Sequence, residues 1–109
     1  MTPKAFDMLV DKRLEKCRHV LSVKNKEYAS DMDKLENFKQ AGAMKGETPE
    51  RALWGMWVKH ITSIRKIVED LDKGIVPTLK LLSEKLGDNI NYSLLLEGLI
   101  RERTIYGEE

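Results

Sequence analysis

The sequence has few residues that break or cross-link a chain, and it has no long apolar run. Its 109 residues include three prolines, seven glycines and one cysteine, and 41% are hydrophobic against 34% charged. This balance is too apolar for a disordered chain and too charged for a membrane protein. No stretch approaches the about 18 consecutive apolar residues of a membrane-spanning helix, and the N-terminus lacks the pattern of a signal peptide. We therefore expect one globular domain over 1–109 that stays in the cytoplasm.

The single cysteine excludes an internal disulfide, and the net charge and the sequence motifs do not indicate a DNA-binding protein. Cys17 has no second cysteine with which to form an internal disulfide, and Leu14 and Leu21 lie at helical spacing from it, which predicts a buried thiol. The net charge is only +1, although lysine and arginine are dense in the first 26 residues. No DNA-binding motif accompanies them. The basic region fits either a face that meets phosphate groups or an ordinary solvated helix surface.

The first half of the chain is predicted to form two helices. Thr2 and Pro3 have the N-cap and first-turn chemistry of a helix start, and apolar spacings of three and four residues continue to about Lys24. Residues 25–33 have no helical period and are predicted to form a loop. A short amphipathic helix follows over 35–44, and Gly46 is placed to end it in the left-handed conformation.

The second half is predicted to form two longer helices with a connector between them. Thr48-Pro49-Glu50 is the strongest helix start in the sequence, and Gly74 marks the end of that third helix. Residues 75–82 surround a proline with apolar side chains, so we expect a connector that packs on another subunit. The last helix is predicted to begin at Ser83, followed by Glu84.

The last two helices carry more apolar residues than one face needs. A helix that is apolar on more than one side buries its second side somewhere, and in a short chain a second copy is the simplest place. No alternating strand pattern or internal repeat accompanies the helices. The sequence therefore predicts an all-α bundle of about four helices, completed by oligomerisation.

Three polar clusters within this helical pattern are the candidate ligand contacts. They are Lys24, Asn25, Tyr28 and Asn37; Lys59, His60 and Ser63; and Glu84, Asp88, Asn91 and Tyr92. In the first cluster, asparagine and tyrosine can hydrogen-bond a base or a sugar and the lysines can meet phosphate. Lysines at the end of a helix also complement its dipole, so this cluster can equally be a simple helix cap.

The other two clusters have a structural and a functional interpretation each. His60 interrupts the apolar stripe of the third helix, where a histidine is commonly a hydrogen-bonded core residue, but with Lys59 it would form a phosphate-binding pair. Glu84, Asp88 and Asn91 share one face of the last helix. Their oxygens suit Mg²⁺, which takes one or two protein carboxylates and completes its shell with water and phosphate, although a solvated acidic face is the alternative.

The order of these clusters resembles that of small phage proteins of the nucleotide-modification-associated type. Through them the chain is distantly similar to the all-α, MazG-like nucleotide pyrophosphatases. The resemblance extends over about residues 6–102, and its matching positions are Lys24, Asn25, Tyr28, Asn37, Phe38, Lys59, His60, Ser63, Glu84, Asp88, Asn91 and Tyr92. It implies helices paired between subunits and a nucleotide held by an acidic helix pair through Mg²⁺.

The chain departs from the pyrophosphatases in one half of the implied metal site. Where they carry an acidic cluster on the preceding helix, this sequence has Lys59 and His60, so that only Glu84 and Asp88 remain to hold a weak Mg²⁺ site. We therefore predict a non-hydrolysing nucleotide-binding protein that requires no cofactor. The resemblance suggests a phage sponge, a protein that sequesters host nucleotide signals, cyclic or linear, and so acts against host defence in the host cytoplasm. The other role that it suggests is a modulator of nucleotide pools.

Two alternatives remain open. The first is a Mg²⁺-dependent nucleoside triphosphate pyrophosphatase whose metal and catalysis depend on Glu84 and Asp88. The second is a helical adaptor that binds protein alone, for which the excess apolar surface of the last helix is the support.

Overall fold

A computed structural model describes residues 1–22 and 33–104 of the chain. They form four helices, α1 (Pro3–Ser22), α2 (Glu36–Lys45), α3 (Pro49–Asp72) and α4 (Leu79–Glu102), and no strand lies in these ranges. The predicted all-α class and the number of helices are confirmed. No helix in the described part of the chain is long and apolar enough to cross a membrane.

Most helix ends follow the predicted capping chemistry. The Thr2 hydroxyl accepts a hydrogen bond from the Ala5 N–H at 3.1 Å, and the Thr48 hydroxyl accepts one from the Arg51 N–H at the same distance. Each bond satisfies a backbone donor that the first helical turn leaves unpaired. Gly46 ends α2 in the left-handed conformation, with φ of 68°, as predicted.

The predicted start of α4 at Ser83 is wrong by one turn. Thr78 is the N-cap, because its hydroxyl accepts a hydrogen bond from the Leu81 N–H at 3.1 Å, and Pro77 precedes it. Part of the predicted connector over 75–82 is therefore helical. α1 is described as far as Ser22, and its predicted end near Lys24 lies outside the described residues, as does the predicted loop over 25–33 except for its last residue.

The apolar core lies between α2, α3 and α4. It consists of Leu35, Phe38, Leu53 and Leu99, with Met56, Trp57, Tyr92, Leu95 and Leu96 packed against it. Leu53 is 0% exposed and Leu99 is 2% exposed, so that burial of these side chains from two helices excludes water from the centre. α4 contacts both α1 and α3, whereas α2 contacts α3. α4 is thus the helix that joins the core to α1.

α1 contributes little to that core. Cys17 is its one buried residue, at 3% exposure, which confirms the predicted buried thiol. Its Sγ lies 3.8 Å from the Gly87 carbonyl oxygen of α4, and burial raises the pKa of the thiol. By contrast, Phe6, Leu9 and Leu14 are each about half exposed. Because α4 is its only helical neighbour among the described residues, α1 is held mainly by contacts along one face.

Candidate ligand-binding site

Two adjoining cavities form a cleft between α1 and α4. The first, of about 360 Å³, lies along α1 and the first turns of α4, and the second, of about 230 Å³, continues toward α2 and α3. Val20, Asp88 and Asn91 line both cavities, so the two spaces meet at these side chains. We call the two cavities together the α1–α4 cleft. The first cavity is its basic end, and the second cavity is its aromatic end.

Cationic side chains dominate the basic end. Arg13, Lys16 and His19 of α1 line it together with Lys80 of α4. The Arg13 Nη1 donates to the carbonyl oxygen and to the hydroxyl of Ser83, at 2.9 and 3.0 Å, and the Lys16 Nζ donates to the same hydroxyl at 3.3 Å. Within residues 1–22 and 33–104, none of these four side chains forms an ion pair with a carboxylate. Arg13, Lys16 and Lys80 therefore bring three positive charges that a ligand anion can use into a cavity that Glu84 and Asp88 also line.

Gly87 allows the Arg13 guanidinium to lie against α4. A Cβ at this position would be 3.1 Å from the Arg13 Nη1, which is closer than an ordinary contact. Glycine inside a helix costs about 1 kcal/mol relative to alanine, and here it provides the space through which α1 reaches α4. Gly87 thus lowers the stability of the helix but leaves room for the cationic side chain of Arg13.

A buried carboxamide lies where the two ends meet. Asn91 is 7% exposed, and its Oδ1 is buried without a hydrogen-bond partner among the described residues. An unpaired buried acceptor costs about 1–3 kcal/mol, because the oxygen has lost its water without gaining a donor. Because Asn91 lines both cavities, a ligand in the cleft can supply that donor. Asn91 is therefore the side chain of the cleft for which a hydrogen-bond donor is most clearly missing.

Aromatic side chains and a second amide line the other end. Tyr92 stacks on Trp57 with ring centroids 6.2 Å apart and 17° between the ring planes. The Trp57 Nε1 donates to the Asn89 Oδ1 at 2.7 Å, which fixes the indole on α4. Burial, and secondarily the charge of Asp88, raises the pKa of Tyr92, so its hydroxyl stays protonated and can donate. Asn37 lies at the same end.

His60 approaches the cleft from α3. Its Nδ1 lies 3.3 Å from the Asp88 Oδ2, which is within ion-pair distance, but the atoms do not have the geometry of a hydrogen bond and the nitrogen is otherwise unpartnered. The imidazole also contacts the Tyr92 ring, at 5.2 Å between centroids. His60 thus contacts two residues of the cleft, Asp88 and Tyr92, and it does not itself line the cleft.

The structure brings some of the predicted site residues together and leaves others apart. Those that line the cleft are Asn37, Glu84, Asp88, Asn91 and Tyr92. Lys59 is exposed on α3 and does not line it, and the Ser63 hydroxyl donates to the Lys59 carbonyl oxygen at 3.0 Å. The predicted contacts Lys24, Asn25 and Tyr28 lie outside the described residues.

The reasoning from sequence did not identify the α1 side of the cleft. Arg13, Lys16 and Val20 are spaced by three and four residues and therefore share one helix face. That spacing, within the lysine- and arginine-rich first segment, was the available signal. The sequence contained no indication that this face would meet α4.

The two carboxylates of the weak metal site share one cavity. Glu84 and Asp88 are one helical turn apart and both line the basic end. The Asp88 Oδ2 lies 3.3 Å from the His60 Nδ1, and the Glu84 Oε1 lies 3.8 Å from the Lys85 Nζ. Among the described residues, no three histidine, cysteine, aspartate or glutamate side chains form a metal-binding group. Two carboxylates fit Mg²⁺ only together with phosphate and water, so this site stays a prediction.

No protein-family model, curated protein or solved structure matches the chain. The resemblance to small phage proteins and to MazG-like pyrophosphatases therefore stays a prediction.

Proposed function

We propose that the chain is a nucleotide-binding protein that holds its ligand in the α1–α4 cleft and releases it unchanged. The observation that carries this proposal is the buried, unpartnered carboxamide oxygen of Asn91 at the meeting point of the two cavities. A buried polar atom without a partner often marks a place that a ligand completes. The amino group of a base or the hydroxyl of a sugar would supply the missing donor.

The two ends of the cleft match the two parts of a nucleotide. The aromatic end combines Phe38, Tyr92 and the amide of Asn37, which suits a flat heterocycle with hydrogen-bonding edges. The basic end has cations that form no ion pair among the described residues, and these suit an anionic group. Small-ligand sites have volumes of about 300–1,000 Å³, a range that the adjoining cavities reach together.

Asp88 and Lys59 support binding without hydrolysis. The carboxylate of Asp88 already has His60 as its neighbour at 3.3 Å, and the α3 positions that would complete an acidic metal site hold Lys59 and His60. Losing half of the carboxylates removes most of the charge that concentrates a metal and orients a water. The corresponding biological role is a sponge for nucleotide signals or a modulator of nucleotide pools in the host cytoplasm.

Calorimetric titration with a panel of linear and cyclic nucleotides tests the proposal. We expect binding without added Mg²⁺, loss of at least about tenfold in affinity in Asn91→Leu, and unchanged affinity in Ser93→Ala, an exposed position on the same helix that does not line the cleft. The bound ligand, recovered after heating the complex, should be intact. A wild-type chain that binds none of the panel would contradict the proposal.

A second candidate is the Mg²⁺-dependent pyrophosphatase. The specific observation in its favour is that Glu84 and Asp88 line the same cavity as the cations of the basic end. Here Mg²⁺ would be required, pyrophosphate would appear from nucleoside triphosphates, and Asp88→Asn would abolish turnover while binding survives. Steady, Mg²⁺-dependent pyrophosphate release that is absent from Asp88→Asn would replace the first proposal with this one.

The exposed apolar side chains support a homo-oligomer. Trp54, Val58, Ile61 and Val68 lie along one stripe of α3 and are all exposed, and Ile75 and Val76 of the connector are exposed as well. We propose that a second copy covers part of this surface. Light scattering at micromolar concentration tests it, with a dimer or larger species expected. A monomer would contradict self-association and leave an adaptor role, with a different protein on the stripe, as the remaining explanation.

A further inference from the structure

The strongest unexplained feature of the cleft is a group of cations that form no ion pair with any carboxylate of residues 1–22 and 33–104. The Arg13 and Lys16 side chains both donate to one neutral residue, Ser83, although each could form a stronger bond to an anion. Lys80 brings a third permanent charge to the same cavity from the first turn of α4. The N-terminal end of a helix adds a partial positive charge there. Like charges gathered in one cavity repel each other, so their placement is explained if an anion completes the group.

The two carboxylates of this cavity do not cancel the group. Asp88 lies at the junction of the two ends and has His60 at 3.3 Å, and Glu84 is exposed with Lys85 at 3.8 Å. Neither forms an ion pair with the three cations. Three permanent positive charges and two carboxylates thus line the basic end, without an ion pair between the two sets among the described residues.

We infer that the cleft holds its ligand in one direction, with a phosphate or diphosphate group on Arg13, Lys16 and Lys80 and without a bridging metal. This rests on the proposed function and specifies which end of the nucleotide lies where. Ser83 shares its hydroxyl with both α1 cations, so it keeps their donor groups converging on one point before the ligand arrives. The Asn91 oxygen then accepts from the base or the sugar, where the two cavities meet.

The test compares probes that carry only one part of the ligand. Inorganic pyrophosphate, a nucleoside, and the matching nucleoside diphosphate are titrated into the full chain in the presence of a chelator. The variants are Lys16→Ala and Lys80→Ala, because neither side chain is buried, and Arg13→Ala is avoided because Arg13 anchors α1 to α4. The control is Lys4→Ala, which removes the same charge from α1 more than three turns from Lys16.

We expect pyrophosphate and the diphosphate each to lose at least about tenfold in affinity in Lys16→Ala and Lys80→Ala, with the control within about twofold of the wild type. The nucleoside should bind all variants alike. Raising the salt concentration should weaken the diphosphate but not the nucleoside. Helical circular dichroism should be the same in every variant.

The possible failures of the inference and of the proposed function are distinct. If the diphosphate binds and depends on Asn91 but not on Lys16 or Lys80, the orientation is overturned and nucleotide binding stands. If pyrophosphate binds through Lys16 but no nucleoside or nucleotide of the panel binds through Asn91, the anion site stands and the nucleotide proposal is overturned. An equal loss in Lys4→Ala would reduce the effect to overall charge and overturn the inference.

Discussion

α4 packs against two different kinds of surface along its two sides. Toward α3 it buries Leu99 in a core where Leu53 is wholly excluded from solvent. Toward α1 its contacts are the hydroxyl of Ser83 and the backbone at Gly87, which meet a guanidinium, an ammonium group and a thiol. One side is apolar and closed, whereas the other is polar and borders the cleft.

The difference separates the part of the fold that sets stability from the part to which we assign the proposed ligand recognition. Burial of apolar side chains supplies most of the free energy of folding, so α2, α3 and the facing side of α4 should set the stability of the chain. The polar contacts of α1 contribute less per bond, because each replaces a bond to water. A cleft bordered by the more weakly held helix can adjust to a ligand without loss of the core.

The largest effect should come from the centre of the core. Leu53→Ala removes a fully buried side chain, and we expect a loss of about 3 kcal/mol in the free energy of unfolding, measured by urea denaturation. The control is Met44→Ala, where the side chain is 89% exposed and the change should stay within about 0.5 kcal/mol. Equal effects in the two variants would mean that the α2–α3–α4 core does not set the stability.

Two glycines of opposite environment sharpen the same point. A Cβ on Gly42 would lie 2.8 Å from the Glu47 carbonyl oxygen, a backbone atom that cannot move away easily, so Gly42→Ala should cost about 1–3 kcal/mol. Gly55 has nothing within 4 Å of an added Cβ, so Gly55→Ala should stabilise α3 by about 0.5–1 kcal/mol. Thermal unfolding followed by circular dichroism measures both. A destabilised Gly55→Ala would show that its helix face is covered in solution.

At the cleft, stability and binding should change in opposite directions. Asn91→Leu removes a desolvated, unpartnered carboxamide and replaces it with an apolar side chain of similar volume, so the unliganded chain should gain up to about 1 kcal/mol. The same variant should lose nucleotide binding. Denaturation and calorimetry on one preparation measure both. If Asn91→Leu lost stability as Leu53→Ala does, Asn91 would belong to the core and not to a binding site.

More of the fold than of the candidate site could be predicted from the sequence, for a physical reason. Helix ends depend on neighbours in sequence, so Thr48 and Pro49 were sufficient to locate the start of α3, and Gly46 the end of α2. The one misplaced start, at Ser83, failed because Thr78 after Pro77 offers the same capping chemistry one turn earlier. Local chemistry identified the elements but could not choose between two adjacent caps.

The cleft depends on which helix faces meet, and this is not a local property. Asp88, Asn91 and Tyr92 were identified because they share a face and interrupt an apolar pattern. Arg13 and Lys16 were missed because their partner Ser83 is about 70 residues away, as the sequence separation of their hydrogen bonds shows. Lys59 was assigned to the site from its neighbour His60, and its own helix face points elsewhere in the structure.

The smallest expected effect concerns the ion pair between Arg103 and Glu50. Unlike the cations of the cleft, Arg103 contacts a carboxylate. The Arg103 Nη2 donates to the Glu50 Oε2 at 2.7 Å, and this bond holds the pKa of Glu50 below its usual value of 4.5. A carboxyl with a lowered pKa stabilises the fold above its unfolded-state pKa, and that contribution is lost as the pH falls through the folded-state value. Arg103→Gln should therefore lower the melting temperature slightly at pH 7, and the difference from the wild type should shrink as the pH falls below 4.5 and Glu50 becomes protonated. The matched control is Arg51→Gln, an exposed arginine of α3 that forms no ion pair with another described residue, and it should show no such pH dependence. Calorimetric scans of the three proteins at pH 7, 5 and 3 would measure this, and a difference that persisted undiminished at the lowest pH would mean that Arg103 acts through packing rather than through the charge of Glu50.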